Sequence, residues 1–582
     1  MTLADILWDL LICFGLSSVV AVVLFLAIKQ KVRGWILLLI GIAPIVILYI
    51  SNPIWRVYSD HGFMHLSFVY QIMNGYVPPD NIMLGGEKAL YAWGHHSIAA
   101  IFAHIFNVSP ATIFAIGNII ALIFTLIVVY KIAELFTHNR VAGIFSAVLA
   151  VFGVSYFTRG PFVYLAHFVL GSVGFDYKVS EYRALAIAKL YNFNSNGIGI
   201  LFFALFLYLA LRVVAGNGTP KNNYVGLGLT SFGLIFFYPY YLLDMLAVTF
   251  STCLTVYLWN RGKLTKNLYR LVGSIILGAI AASPYIYLVA SGKTESLHSL
   301  TPNLGWILGK GLILFFAVFP VAILLFFQRR TFLKKIEDNM LLFLCLLSAI
   351  VTLGAMYVFL KEPLGVNYKH LILCLFCVGI IGGIVLQGVY DRYRLVSFVL
   401  VVAFIIPFSY DWLSIVNVQN WPFSDPFVED GKYLRHADSD EDALYQWIAN
   451  NTAKDAVFVD THLTVPVFGR RQLYVGSTIR EDRLPEESRS IENGWELTPE
   501  KFLLSQGYSS DVIANRLAVV NDIYDPGIEL DENIVSELKK AKTQHIFVVA
   551  RDSSTNQKLS DSSYFNQVFE HEDRSVFELI SN

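Results

Sequence analysis

Apolar runs of about 17–25 residues recur from the first residue to about residue 415, and then they stop. Each is long enough to cross a hydrocarbon core of roughly 30 Å as a helix. From about residue 430 onward there is no such run and charges are dense. The composition, 55% hydrophobic and 15% charged, is therefore an average over two materials. A polytopic α-helical membrane protein with a soluble C-terminal α/β domain is expected. The net charge of −1 sums two compartments and gives no signal for nucleic acid. Cys13, Cys253, Cys345, Cys374 and Cys377 all fall in apolar runs, so no disulfide framework is implied. Cys374 and Cys377 read as small apolar fillers. The first run is too long and too acidic at its start for a cleaved signal and reads as a retained span.

About twelve spans are expected, at 5–28, 34–51, 110–131, 140–157, 195–213, 222–238, 241–259, 267–290, 304–327, 339–360, 367–390 and 394–412. The links "KQKVR", "RGKLTKNLYR", "QRRTFLKK" and "DRYR" then share one side, which the positive-inside rule makes cytoplasmic. The N-terminus, the long loops 52–109 and 158–194, the short loops 291–303 and 361–366, and the C-terminal domain share the other. Residues 92–106, "AWGHHSIAAIFAHIF", would reverse the later links if they crossed. They are too short to span and carry three histidines, so they read as a helix at or dipping into the outer surface.

In the first outer loop Asp60 is placed to cap a helix, "HGFMHLSFVYQIMNG". Phe63, Leu66, Val69, Tyr70 and Met73 form an apolar stripe suited to an interfacial helix. Gly75 stops it and "VPPD" makes a rigid turn. His61 and His65 share a face at a spacing of four, which suits a metal pair. No third ligand follows in sequence, so interfacial histidines are favoured over a divalent cation. Gly85 and Gly86 permit tight turns. Tyr91 and Trp93 suit a headgroup-level aromatic belt. His95 and His96 open the dipping helix, and Ser109-Pro110 starts the next span with a cap and an N1 proline.

The second outer loop carries Arg159, Asp176, Lys178, Glu181, Arg183 and Lys189. Mixed charges pair or are solvated, but Arg forks and Lys ammonium groups also match phosphate oxygens. Asp244 lies about one turn into a span after Pro239, Pro284 interrupts another span end, and Asn367, Lys369 and His370 open the eleventh. Ionisable groups in membrane segments are functional candidates; Lys369 either snorkels or binds phosphate.

Residues 425–582 alternate helices and short buried strands, which suggests a partly parallel sheet. The strands are "DAVFVD", "RQLYVG" and "HIFVVA", the helices "DEDALYQWIANNT", "SDVIANRLAVVNDIY" and "DENIVSELKKAK", and "FNQVFEHEDRSVFELI" closes as a hairpin. No Gly-rich phosphate loop is present, and the acids of "DSDED" suit a helix N-terminus. This domain is expected to shield the site or recognise an acceptor.

The order Asp60–His65–"NGYVPPDN"–"LGGEKALYAWGHH"–"NVSP", followed by many spans, resembles the first-loop signature of the GT-C superfamily of membrane glycosyltransferases. Residues 440–476 resemble the outer domain of bacterial and archaeal members. Residues 34–415 would form the GT-C-like domain, with 1–33 an N-terminal addition. His61 stands where many relatives carry a second acid. The resemblance implies transfer of a sugar from a polyprenyl-phosphate carrier to a glycan, lipid or protein acceptor on the extracytoplasmic face of a prokaryotic membrane. It makes Asp60 the general base and Lys369, Arg183 and Arg159 donor-phosphate ligands. It makes His61, His65, Glu87, Tyr91, His95, His96 and Asp244 substrate contacts, with no resident metal. A second reading is a non-catalytic glycan- or lipid-binding protein on the same scaffold. A transporter is the third, and it is disfavoured because the polar residues gather at span ends and no inverted repeat is visible.

Overall fold

One helix is apolar on every side, and it sits in the middle. Residues Tyr368–Arg392 carry 25 residues whose span is buried throughout, as a helix hydrophobic all round must be. The computed structural model describes residues 3–29, 60–154, 196–216, 221–263, 265–290, 304–360, 368–416, 428–429, 432–433, 439–460, 465–476, 503–504 and 506–580. The expected span 34–51, the loop 158–194 and the side chains of Asp60 and His61 lie outside the described residues.

The helices in order are α1 (Leu3–Lys29), α2 (Asp60–Met73), α3 (Gly94–Phe106), α4 (Pro110–Thr137), α5 (Arg140–Val151) and α6 (Asn196–Ala215). Then come α7 (Lys221–Phe237), α8 (Leu242–Trp259), α9 (Lys266–Ala290), α10 (Leu304–Ile336), α11 (Met340–Phe359), α12 (Tyr368–Arg392) and α13 (Arg394–Val416). Among the described residues, seven helices are long and apolar enough to cross a membrane: α4, α6, α8, α9, α10, α11 and α12. Shorter apolar stretches lie at Phe14–Leu26, Arg140–Val151 and Arg394–Pro407. Helix α7 has 17 residues and carries Asn222, Asn223, Thr230 and Ser231, so it falls short of that standard.

Small residues let α12 approach α5. A Cβ at Gly383 would meet the Ser146 backbone nitrogen at 2.1 Å, and one at Gly379 would meet Ala150 Cα at 2.5 Å. The Ser146 hydroxyl donates to the Ile380 carbonyl at 2.7 Å, so the contact is polar as well as close. Helix α4 opens as expected, with the Ser109 side chain accepting from Ala111 N–H and Pro110 at N1.

Helix α3 has 13 residues, about 20 Å at 1.5 Å per residue, and does not reach across a core. It lies at one end of the bundle. Gly94 N–H donates to the Tyr285 hydroxyl near the C-terminus of α9, and His95 packs on Phe237 at the C-terminus of α7. Helix α2 departs from the expected amphipathic stripe. It begins at Asp60 itself, and His65, Ser67, Phe68 and Gln71 are buried along with Leu66 and Val69, whereas Met73 is exposed. The helix is enclosed by protein on more than one face. Tyr91 and Trp93 are likewise not a headgroup belt. Trp93 is buried against Tyr285, and Tyr91 packs on Phe68.

The enclosing material is the C-terminal sheet. Strands β1 (Val457–Val459), β2 (Gln472–Leu473), β3 (Ile546–Ala550), β4 (Phe565–His571) and β5 (Arg574–Leu579) stand in the order β2-β1-β3-β5-β4. The β1 pairings are parallel, and β3, β5 and β4 pair antiparallel. Helices α14 (Ser439–Asn451), α15 (Ser510–Tyr524), α16 (Glu532–Lys539) and α17 (Ser553–Ser560) accompany them; sequence periodicity did not single out α17. The first loop extends the edge of this sheet. Leu473 N–H donates to Ile82 O at 2.8 Å, Gly85 N–H to Leu473 O at 2.7 Å, and Gly476 N–H to Met83 O at 2.9 Å. Arg516 donates to both Gly85 O (2.8 Å) and Tyr474 O (2.7 Å). Gly86 is obligatory: its φ is +78° and a Cβ would meet Ala541 O at 1.8 Å.

Two outcomes follow from this packing. Gly383→Leu is expected to lower the melting temperature in detergent, with a loss of about 1–3 kcal/mol from overpacking. Gly117→Ala, with nothing within 4 Å of its Cβ, is expected to leave it unchanged or slightly higher. Arg516→Met strips two buried carbonyls of their donor, at about 1–3 kcal/mol each. It is expected to speed amide hydrogen exchange across residues 82–90, and wild-type exchange rates there would contradict the clamp.

Candidate functional site

Three histidines meet where α2 crosses α3. His65 Nδ1 and His96 Nε2 are 2.6 Å apart, so one nitrogen carries the shared proton and the other accepts it. The rings stack with centroids 4.9 Å apart. His95 lies beside them against Phe114, with ring centroids 4.8 Å apart, and neither of its ring nitrogens has a hydrogen-bond partner among the described residues. Burial holds His95 and His96 neutral: it pushes His95 down to about 4 and His96 well below its ordinary value. Among the described residues no group of three His, Cys, Asp or Glu side chains is placed to hold a metal ion.

Aromatic rings lead from this cluster to a lysine. Tyr91 packs on His65 at 5.8 Å and on Tyr240 at 6.4 Å between ring centroids. The Lys369 ammonium stands over the Tyr240 ring at 3.4 Å and the Tyr238 ring at 5.3 Å. Burial pushes the Tyr91 phenol well above its usual value, so it stays protonated. The "FFYPYY" segment, with its 3₁₀ turn at Pro239–Tyr241, turns three tyrosines toward one another between α7 and α8.

Next to Lys369, His370 Nδ1 lies 2.6 Å from Asp244 Oδ1, and both side chains are fully enclosed. Tyr241, in the turn before Asp244, donates its hydroxyl to Asn196 Oδ1 at 2.7 Å. The N-terminal ends of α6, α8 and α12 therefore share one polar layer.

Of the residues singled out from the sequence, His65, Tyr91, His95, His96, Lys369 and Asp244 are gathered at this end of the bundle. Glu87 instead faces the C-terminal sheet, pairing with Lys542 at 2.6 Å and standing 3.9 Å from Arg516. Arg159 and Arg183, and the side chains of Asp60 and His61, lie outside the described residues. Sequence reading did not pair Asp244 with His370, which lie 126 residues apart. It also missed Lys310, which is 2% exposed inside α10 with its Nζ 5.1 Å from the Tyr357 ring centroid. Its signal was a lone lysine in the apolar run "GWILGKGLIL".

The neutral histidines make stability depend on pH in one direction. Between an unfolded pKa near 6.5 and the folded value of about 4 for His95, the unfolded chain binds more protons. Stability therefore falls as pH falls through that window, by on the order of 1 kcal/mol per pH unit for one such group. The melting temperature is expected to drop between pH 7 and pH 5, and His95→Leu to flatten that drop. An equal slope in the variant would assign it to other groups.

No protein-family model matches the chain, and no curated protein matches it in sequence. Solved structures do. ArnT from Cupriavidus metallidurans in the apo state superposes with a TM-score of 0.50 at 11% identity, covering 94% of this chain and 98% of that one. The same protein bound to undecaprenyl phosphate gives 0.50 and 11%, covering 94% and 99%. An oligosaccharyltransferase from Archaeoglobus fulgidus, in the apo form, gives 0.39 at 11%, covering 90% and 70%. The superposition covers nearly the whole chain, so this chain shares the fold of the ArnT structures, as the resemblance carried by the first loop implies.

Proposed function

We propose that the protein transfers a sugar from a polyprenyl-phosphate donor to a glycan, lipid or protein acceptor on the extracytoplasmic side of the membrane. The reading is carried by one observation. A buried lysine on two tyrosine faces is linked through Tyr91 to the histidines of the helix that begins at Asp60. The ArnT structure of the same fold has undecaprenyl phosphate bound, which supports a carrier of this class here.

In this reading Asp60 takes the proton from the acceptor hydroxyl as its oxygen attacks the anomeric carbon. A positioned carboxylate contributes ~10²–10⁴-fold in such a step. Lys369, with Arg159 and Arg183, holds the donor phosphate. His61, His65, Tyr91, His95, His96 and Asp244 contact sugar or acceptor, and Glu87 keeps their loop on the C-terminal sheet. The reaction calls for no resident cofactor, and a divalent cation is not favoured. The basic links lie on the cytoplasmic side; the first loop and the C-terminal sheet lie outside.

The test uses cells carrying the protein or Asp60→Asn at equal expression, with the envelope glycan or glycolipid product measured. A fall of about 10²-fold or more in product is expected for the variant. Product at the wild-type level would retire Asp60 as base and leave the alternative of a non-catalytic glycan- or lipid-binding protein.

A further inference from the structure

The end of the bundle farthest from the histidines gathers cations that its own helices cannot offset. Helix α7 starts at Lys221 and ends at Phe237, which packs on His95. Helix α9 starts at Lys266 and reaches Tyr285, whose hydroxyl holds Gly94 N–H. Both starts therefore stand at the other end, about 24 Å away along the 17 residues of α7. They stand side by side. The Tyr224 hydroxyl donates to Asn267 Oδ1 at 3.0 Å, and the Arg270 guanidinium lies 5.7 Å from the centroid of the Tyr224 ring. A helix start presents unbonded N–H groups and the positive end of its dipole, so it favours an anion and disfavours a cation. These two starts reverse that preference. Neither first turn carries an acid, each opens on a lysine, and Arg270 follows one turn into α9. Asp244 is the only acid between residues 182 and 294, and it stands at the opposite end of α8.

We propose that the paired starts of α7 and α9 bind the phosphate of an anionic phospholipid, on the side of the membrane opposite the histidine site. Lys266 and Arg270 are four residues apart, share a face and are both exposed. An ammonium and a guanidinium fork match phosphate oxygens, and two helix starts add N–H groups and favourable dipoles. The Tyr224 face, itself fixed by Asn267, holds the guanidinium in place. A buried donor lies in the same layer. Asn223, in the first turn of α7 and 6% exposed, has no acceptor for its Nδ2 among the described residues. The anion comes from lipid because the site stands on the lipid-facing rim. The apolar window of α9 is only 22% buried, and Leu258, Trp259 and Tyr269 are exposed beside the cations, as side chains at a membrane interface are. An anionic headgroup is favoured over a zwitterionic one because Lys221, Arg261 and Lys263 add further exposed positive charge with no acid among them. The polyprenyl carrier has no part in this site, so it stands apart from the transfer reading.

The test is native mass spectrometry of the full-length protein in detergent, titrated with dioleoylphosphatidylglycerol or dioleoylphosphatidylcholine, with inorganic phosphate as competitor. The wild type is expected to bind the phosphatidylglycerol about tenfold more tightly than the phosphatidylcholine. Lys266→Gln with Arg270→Gln is expected to weaken the phosphatidylglycerol by roughly tenfold or more, at about fivefold per cation near a headgroup. Arg329→Gln with Arg330→Gln removes the same charge from an exposed pair on α10, and is expected to change that affinity by less than about twofold. Tyr224→Leu keeps every charge but removes the face under Arg270, and is expected to weaken the phosphatidylglycerol by about threefold. Equal affinity of the wild type for the two lipids overturns the proposal, and that measurement needs no variant to fold. An equal loss in the two double variants also overturns it, because the preference would then belong to the whole basic surface. Displacement of the phosphatidylglycerol by an equal concentration of inorganic phosphate overturns the lipid source.

Discussion

The geometry of this protein depends on a short stretch of backbone pairing between the first loop and the last sheet. Residues 82–85 hydrogen-bond along β2, nearly four hundred residues further on in the chain. Buried peptide groups must find partners, and here each segment supplies the other's. Arg516 and Gln472 complete the join: Gln472 accepts from Gly86 N–H at 2.8 Å and donates to Asp80 at 3.0 Å. Around it Ile82, Met83 and Leu84 share one apolar core with Val457, Tyr474 and Leu538. The loop that leads into the histidine helix is therefore a strand-like extension of the C-terminal sheet. Loosening that sheet would move α2, and with it the position of Asp60, before it touched the membrane helices.

Electrostatics in the site follow from enclosure. His95 and His96 are buried among rings and kept neutral, so they add no charge to the site. Cations are held on tyrosine faces, which attract an ammonium by about 0.5–2 kcal/mol without contributing a formal negative charge. Among the described carboxylates, Asp244 is bound to His370 within the layer, and Glu87 and Asp80 pair on the loop with Lys542 and Lys88.

Period and length carried most of the fold in the sequence. Most described helices open within a few residues of the expected spans, because lipid thickness and apolar length are coupled, but α10 runs on to Ile336 and α4 to Thr137, past their expected ends, and α5 stops at Val151. The C-terminal strands were legible as short β-branched runs between helices. The misreadings have one cause. Helix α2 and the Tyr91–Trp93 segment looked interfacial because their patterns were judged alone, whereas the C-terminal sheet and α9 cover them. His370 was legible only as a polar residue at a span end, because its partner lies on another helix. Contacts between distant segments leave no local periodicity to read.

In the proposed reading the acid at the start of α2 works beside cationic side chains rather than a metal. Asp60 precedes His65 by five residues, so its backbone stands about 7.5 Å along the helix axis from a histidine pinned to His96. A divalent cation bridging donor phosphate and base would need further oxygen ligands at that end. The neighbouring side chain is His61, and the carboxylate of Asp244 is already bound to an imidazole. Lysine ammonium groups do the neutralising differently. They match a phosphate as point charges, need no carboxylate ligands, and tolerate an aromatic lining. In the proposed reading the second acid is dispensable to the extent that Lys369, Arg159 and Arg183 carry the phosphate charge, which leaves Asp60 to the proton alone.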